Sequence, residues 1–425
     1  MRTPRTAPPR PAFAALLDPA FRLYTAGQLA AHTGTWLIRI AQDWLVLELT
    51  GSSAAVGTVV ALQYTPLLLL GPQGGVLADR FPKKRVLLTT QITTGATGLV
   101  LAVLVLTGTA TAAEIHVSAL VCGLAAAVDN PARQAFVGEL VDERDIRGAV
   151  SVNIAGFQVG RILGPALAGA LLTTAGAGWA FLASTLALLG SLGTLTALRP
   201  RTPTRPAQRA RLREALHHIA GHRDLTVVIA LSGAVGVFGY TYPVWLTAFA
   251  DRVFPAGAGL YGLFNSAMAL GALSGALLGA RAGPAGPRAL TGCGLALGLL
   301  ETATALAPGV GTFTALTALA GAASMVFSTR TNAYIQLATP PHLRGRVLSL
   351  YLAGFVGGSA LGCPLIGWTT DVLGPRAGLA VSGGACLLAA GAALLTRTAR
   401  NSPPPAHRAE QAGSAHGSGR TGAAG

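Results

Sequence analysis

Tyr24, Gln28, His32, Thr35, Arg39, Gln42 and Asp43 interrupt an otherwise apolar run near the amino terminus. With Gln28 at zero and about 100° of rotation per residue, all seven fall within one helical arc of about 100°. A polar stripe along an apolar helix must face water or protein, because an ionised group turned to lipid costs several kcal/mol. The stripe therefore predicts a helix that lines a cavity. Arg39 and Asp43, at i and i+4, can pair on it. Two roles stay open for Asp43: a carboxylate that exchanges a proton when Arg39 is drawn away, or a permanent ion pair at the outer helix end. His32 is either a hydrogen-bonded packing residue or a proton relay.

Arg161 lies 13 residues beyond Gly148 in another apolar run, roughly 20 Å along a helix and close to the middle of a membrane. It needs an anion there, supplied by a carboxylate of the first helix, a carbonyl cluster or an acidic substrate. Further on, Tyr240, Tyr242 and Trp245 cluster in one run, with Asn265, Asn332 and Gln336 in two later ones. Aromatics with amide partners suit an amphipathic organic ligand, and the aromatics equally suit an interfacial belt. Glu301 is the single acid of its run and has no assigned role.

Composition fixes the elements that must carry these residues. Of 425 residues, 51% are hydrophobic and 11% charged, against about 25% charged in a soluble domain. This excludes an ordinary soluble enzyme. Twelve membrane helices are expected, at 21–48, 54–78, 86–108, 114–138, 150–174, 178–198, 225–250, 259–280, 287–306, 311–337, 347–370 and 377–397. The expected fold is an all-α integral membrane protein of two six-helix bundles, 21–198 and 225–397. A tail precedes them (1–20), a linker joins them (199–224) and a polar, disordered tail follows (398–425). Of the 31 Lys and Arg, 27 fall on one side of the helix alternation and only Arg252 and Arg376 on the other. That bias puts both termini in the cytoplasm and accounts for the net charge of +15 without nucleic acid. In the linker, Leu212, Leu216 and Ile219 recur at helical spacing beside basic residues, which predicts a short helix in the interface. The four cysteines lie far apart in apolar runs and read as small core residues.

The halves also repeat. Gly156, Gly160, Gly164 and Gly169 recur as Gly354, Gly358, Gly362 and Gly367, and Asn130 and Gln134 as Asn332 and Gln336. Parallel six-helix repeats place a site between the halves. Between the second and third runs stands Gly75-Val-Leu-Ala-Asp79-Arg80-Phe-Pro82-Lys83-Lys84-Arg85, which resembles the loop motif G-x-x-x-D-R-x-G-R-R of the major facilitator superfamily, with Pro82 at its second glycine. The resemblance implies that this loop, with Asp79 and Arg80, gates the cycle by latching the halves together. The fifth run, with Gly160, Gly164, Pro165 and Gly169, is similar to the helix-five motif of the superfamily's antiporters, Ser151 and Ala168 replacing two of its glycines. The segment Asp129–Val141 and the start of the first run resemble the enterobactin-exporter-like branch, which implies export of siderophores, antibiotics or other amphipathic small molecules.

No G-x4-G-K-[ST] phosphate loop and no metal-ligand spacing occurs. No cofactor or metal is expected, and transport would draw on an ion gradient. The expectation is a monomeric, multi-pass transporter of the cell membrane that exports a small organic molecule by proton antiport. Import or uniport on the same fold, and a non-transporting membrane sensor or scaffold, are the alternatives.

Overall fold

The computed structural model describes residues 12–142, 145–199, 212–283 and 285–398. A 3-10 turn, Ala12–Leu17, precedes fifteen helices: α1 Pro19–Thr50, α2 Ser53–Arg80, α3 Lys83–Leu106, α4 Ala112–Leu140, α5 Ile146–Thr174, α6 Ala177–Ala197, α7 Leu212–Gly221, α8 Arg223–Phe238, α9 Tyr242–Ala248, α10 Ala258–Arg281, α11 Pro287–Ala305, α12 Val310–Ala338, α13 Arg344–Gly357, α14 Ser359–Leu373 and α15 Pro375–Thr398. The first helix starts where local chemistry favours it. Asp18 accepts from the backbone N–H of Ala20 at 2.8 Å, and Pro19 occupies the first helical position. It stops at Gly51, whose φ of 63° lies in the left-handed region that glycine adopts without strain.

Among the described residues, ten spans are long and apolar enough to cross a membrane. They are α2 to α6, α8 with α9, α10, α12, α13 with α14, and α15. The helices α1 and α11 fall outside this group, α1 because of its polar stripe and α11 because it carries Arg288 and Glu301. Two expected helices are broken. The run 225–250 divides at Gly239–Thr241, where Pro243 removes a backbone donor at the start of α9. A π turn, Phe249–Val253, then extends α9. The run 347–370 divides at Gly358 into α13 and α14. The amphipathic linker segment forms α7, with Ala215 buried and Leu216 exposed.

The chain weaves between two faces, here the near face, where α1 begins, and the far face, where it ends. Helices α1 to α6 pack mainly among themselves, α1 on α5 and α6, α2 on α4, α3 on α6. So do α8 to α15, with α10 on α12 and α11 on α15; the main crossings between the sets are α2 on α14 and α5 on α10. The apolar cores follow this division. Toward the far face one continuous core mixes both sets, Leu45, Val59 and Phe181 with Trp245, Tyr261, Phe264 and Phe313. Toward the near face, among the described residues, the cores are separate, with Phe21, Tyr24, Phe136 and Leu140 in the first set and Phe327, Tyr351 and Phe355, beside a small cluster of Val228, Ala285 and Leu290, in the second. Among the described residues, the apolar cores of the two sets are therefore shared at one face and separate at the other.

Candidate functional site

Between the parted cores lies a cavity of about 330 Å³. Its centre is built on α1 and α5, held together by glycine. A Cβ at Gly160 would lie 2.6 Å from Cβ of His32, and one at Gly164 would overlap Trp36, so both positions need a side chain of a single hydrogen. That close approach brings Arg161 beside the α1 stripe. Its guanidinium stands 5.6 Å from the Trp36 ring, beside the hydroxyls of Tyr242, Tyr240 and Tyr64. Arg39 lies over the same indole at 5.6 Å and over Tyr64 at 5.2 Å, and donates from Nη1 to the Tyr64 hydroxyl at 3.1 Å. Two guanidiniums thus approach the Trp36 ring within cation–π range. Neither belongs to an ion pair among the described residues.

The expected pairing of Arg39 with Asp43 does not form. Arg39 turns into the cavity, while Asp43, buried outside it, accepts from the Tyr261 hydroxyl of α10 at 3.0 Å. Trp44 stacks on the same Tyr261, ring centres 6.0 Å apart. This bond crosses between the two sets, and the second oxygen of Asp43 has no hydrogen-bond partner. Gln42 also leaves the cavity. It donates to Ser118 at 2.8 Å and accepts from Gln63 at 3.0 Å, tying α1 to α2 and α4. His32 lines the cavity edge-on to Phe157, and Gln28 is buried deeper in α1 with its amide oxygen unpartnered.

In the second set, Tyr240 and Tyr242 reach the cavity and the other four expected residues do not. Trp245 is fully buried against Phe313 in the far core. Asn265 donates to the Tyr261 carbonyl at 3.0 Å. Gln336 donates to Asn332 at 2.6 Å, close to the near end of α12. Periodicity marked these as polar or aromatic but could not say which way they point. Trp36, at about 80° on the α1 wheel and just beside the stripe, was missed, as were Tyr64 and Phe157.

The loop motif is described only in part. Gly75 and Asp79 fall in a stretch of α2 whose side chains lie outside the described residues. Arg80 and Arg85 are exposed. Lys83 pairs with Glu139 at 3.4 Å, and Lys84 donates to the carbonyls of Thr196 and Leu198 at 2.7 and 2.6 Å, closing the end of α6. Both lysines are thus satisfied within their own set.

The sets are joined at the far face instead. A Cβ at Gly169 would lie 2.9 Å from the Gly262 Cα, and Pro165 directs its carbonyl at the same glycine. Gly57 meets the Cys363 backbone, and Gly367 that of Ser53 and Ala54. Asp371, near the end of α14, accepts from Ser52 Oγ at 2.7 Å, Ser53 N at 2.8 Å and Ala54 N at 2.9 Å, so a carboxylate of one set caps the first turn of α2 in the other. Arg252 completes the contact, 3.0 Å from Asp371 and also bonded to the Gly51 carbonyl. Arg252 was visible in the sequence as one of two far-side cations, but its partner 119 residues away was not.

Residues 10–416 match the family model described as transmembrane secretion effector. The enterobactin exporter EntS of Escherichia coli O139:H28 is 29% identical over 91% of this chain and 94% of its own length. The staphyloferrin A transporter of Staphylococcus aureus is 28% identical over 58% of this chain, a match that spans 63% of that relative. Among solved structures, a bacterial homologue of the human lysosomal transporter Spinster, inward-facing and unoccupied, superposes with a TM-score of 0.72 at 15% identity, over 88% of this chain and 96% of that one. The nucleoside transporter NupG does so at 0.69 and 15%, over 89% and 99%. These structures share the fold. With the family model covering nearly the whole chain, the protein belongs to the transmembrane secretion effector family of the major facilitator superfamily and is a multi-pass membrane transporter, not an enzyme.

Proposed function

We propose that this protein exports an anionic, aromatic-bearing small organic molecule by proton antiport, through alternating access between two six-helix bundles. In this reading α1 and α11 join the ten apolar spans to make twelve. Residues 21–198 and 225–397 form the bundles, 199–224 the linker, and 1–20 and 398–425 the tails. The near face carries Arg80, Lys83, Lys84, Arg85, Arg213, Arg223, Arg281, Arg288, Arg344 and Arg346, against Arg252 and Arg376 at the far face. That bias makes the near face cytoplasmic and both termini with it. The cavity is then open to the cytoplasm and sealed from outside, the state that loads an exported substrate.

The observation that carries the substrate class is the pair of guanidiniums, Arg39 and Arg161, at Trp36, neither of them in an ion pair among the described residues. Arginine near mid-membrane needs an anion, and the first helix does not supply one because Asp43 faces away. An acidic group on the substrate fills that role, with Trp36, Tyr64 and Tyr242 stacking on its apolar part. Asp43 is the coupling group we favour. Its bond to Tyr261 exists only while α1 and α10 are together at the far face, so opening that face changes the carboxylate's hold on a proton. Gln42 supports α1 beside it, and His32 and Gln28 lie about three and four turns nearer the near face on the same helix.

Everted vesicles with an acidic lumen test the proposal, with luminal pH recorded on addition of siderophores, antibiotics and dyes. An exported anion should alkalinise the lumen with the wild type and not with Asp43→Asn. Transport without a proton signal, or an Asp43→Asn protein that behaves as wild type, would remove Asp43 from the coupling step.

A further inference from the structure

The cavity continues past Arg161 toward the near face into a pocket walled by α1, α3 and α4, and the polar groups there are left incomplete. Gln91 of α3 is 3% exposed, yet neither its amide nitrogen nor its amide oxygen has a hydrogen-bond partner. Arg133 of α4 is 8% exposed and has Nη1 unpartnered, while its Nε and Nη2 hold Asp129 at 2.8 and 2.6 Å. His32 of α1 is 9% exposed with Nε2 unpartnered. All three line the cavity. Gln91 and Arg133 lie eight residues in from the near end of α3 and seven from that of α4, roughly 10 Å nearer that face than Arg161. Burying a polar group without a partner is unfavourable, so three such groups converging on one space favour a ligand that can pair with all of them.

We propose that this pocket is a second substrate subsite, which takes a neutral hydroxylated arm of the transported compound, such as a sugar or other polyol. It rests on the reading of the central cavity as the site of an aromatic anion. The chemistry selects the arm. Asp129 is already engaged by Arg133 and by the Thr90 hydroxyl at 2.7 Å, so the acid and base offset each other and a second anion has no uncompensated cation to meet. The Gln91 amide offers donors and an acceptor, Arg133 Nη1 only donors, and His32 Nε2 either role. Hydroxyls, which donate and accept at once, complete all of them. The substrate is thus a conjugate, with its charged aromatic end at Arg161 and its hydroxylated end at Gln91.

Two probes separate the subsites on purified full-length protein in nanodiscs, 6-hydroxy-2-naphthoate and its 6-O-glucoside, with binding followed by naphthyl fluorescence. The glucoside should bind the wild type at least tenfold more tightly than the naphthoate. In Gln91→Leu that gain should vanish while naphthoate binding stays within about twofold, which also reports that the variant is folded. Gln91→Met, closer in length, serves the same purpose should the leucine variant fail to fold. In Arg161→Gln both probes should weaken together. Equal affinity of the two probes for the wild type, the outcome expected of a pocket filled by water alone, overturns the subsite and leaves the central site standing. So does a glucoside gain that survives in the Gln91 variants. Failure of the naphthoate itself to bind overturns the anion reading of the central cavity, and the subsite with it.

Discussion

The two faces hold their helices by different means. At the far face the sets touch through backbone, glycine against glycine at Gly169 and Gly262 and glycine against carbonyl at Gly57 and Cys363, with polar fastenings where Asp371 meets α2 and Arg252 and where Tyr261 donates to Asp43. At the near face the two loop lysines are satisfied within their own set, Lys83 by Glu139 and Lys84 by the end of α6. On the proposed alternating-access cycle, contacts of the first kind are made or lost as a unit when the sets rock. Contacts of the second kind survive the motion unchanged. A transporter needs both, a seal that can be reversed and bundles that stay intact while it reverses.

The largest effect should come from filling the seal. Gly57→Val places a branched side chain on the Cys363 backbone, where nothing flexible can give way. Closure of the far face should be blocked and transport should fall by more than tenfold, with far-face residues becoming open to membrane-impermeant thiol labelling. Retained transport would mean that α2 and α14 need not meet. Next is Arg161→Gln. Loss of a charge-assisted contact of about 1.5–3 kcal/mol predicts a KM for an anionic substrate raised about 10- to 100-fold. Uncharged compounds should be affected far less, and equal losses for both would refute the anion assignment.

A smaller effect is expected of Asp371→Ala. The lost cap is worth about 1 kcal/mol and the exposed ion pair no more than about 1 kcal/mol. The equilibrium should move about five- to thirtyfold toward the far-open state, read by spectroscopic distances between labels on α2 and α14, and Asp371→Asn should restore part of the shift. Smallest is Lys84→Met, which uncovers the last carbonyls of α6. It should cost about 0.5–1 kcal/mol of thermal stability and leave the label distances unchanged. A shift in those distances would mean that the near-face contacts also take part in the cycle.

What the sequence disclosed follows from the range of the interactions involved. The α1 stripe was legible because 3.6-residue periodicity is local, and Arg161 because depth in a membrane follows from counting residues. Glycines spaced by four on α5 announced close packing but not the partner, and the structure divides them, Gly160 and Gly164 against α1 and Gly169 against α10. Side-chain direction was lost wherever a competing partner lay far along the chain. Asp43 meets Tyr261 at a separation of 218 residues, and Ser53 meets Asp371 at 318. No spacing rule reaches that far, so the local i,i+4 partner of Asp43 was preferred and does not form. The breaks at Gly239–Thr241 and Gly358 were likewise hidden inside continuous apolar runs that hydropathy reads as single helices.

The surroundings of the five tryptophans also make the protein its own fluorimeter. Trp179 and Trp368 are half exposed on the lipid side and Trp245 is sealed in the far core, so all three give a steady background. Trp36 has two guanidiniums at its ring, which on the proposed function a bound anion would draw away, and Trp44 stacks on Tyr261, a contact that opening of the far face would break. On the proposed cycle, occupancy and closure would each be reported by a separate indole, and replacing either one with phenylalanine would leave an emission signal for the other step alone.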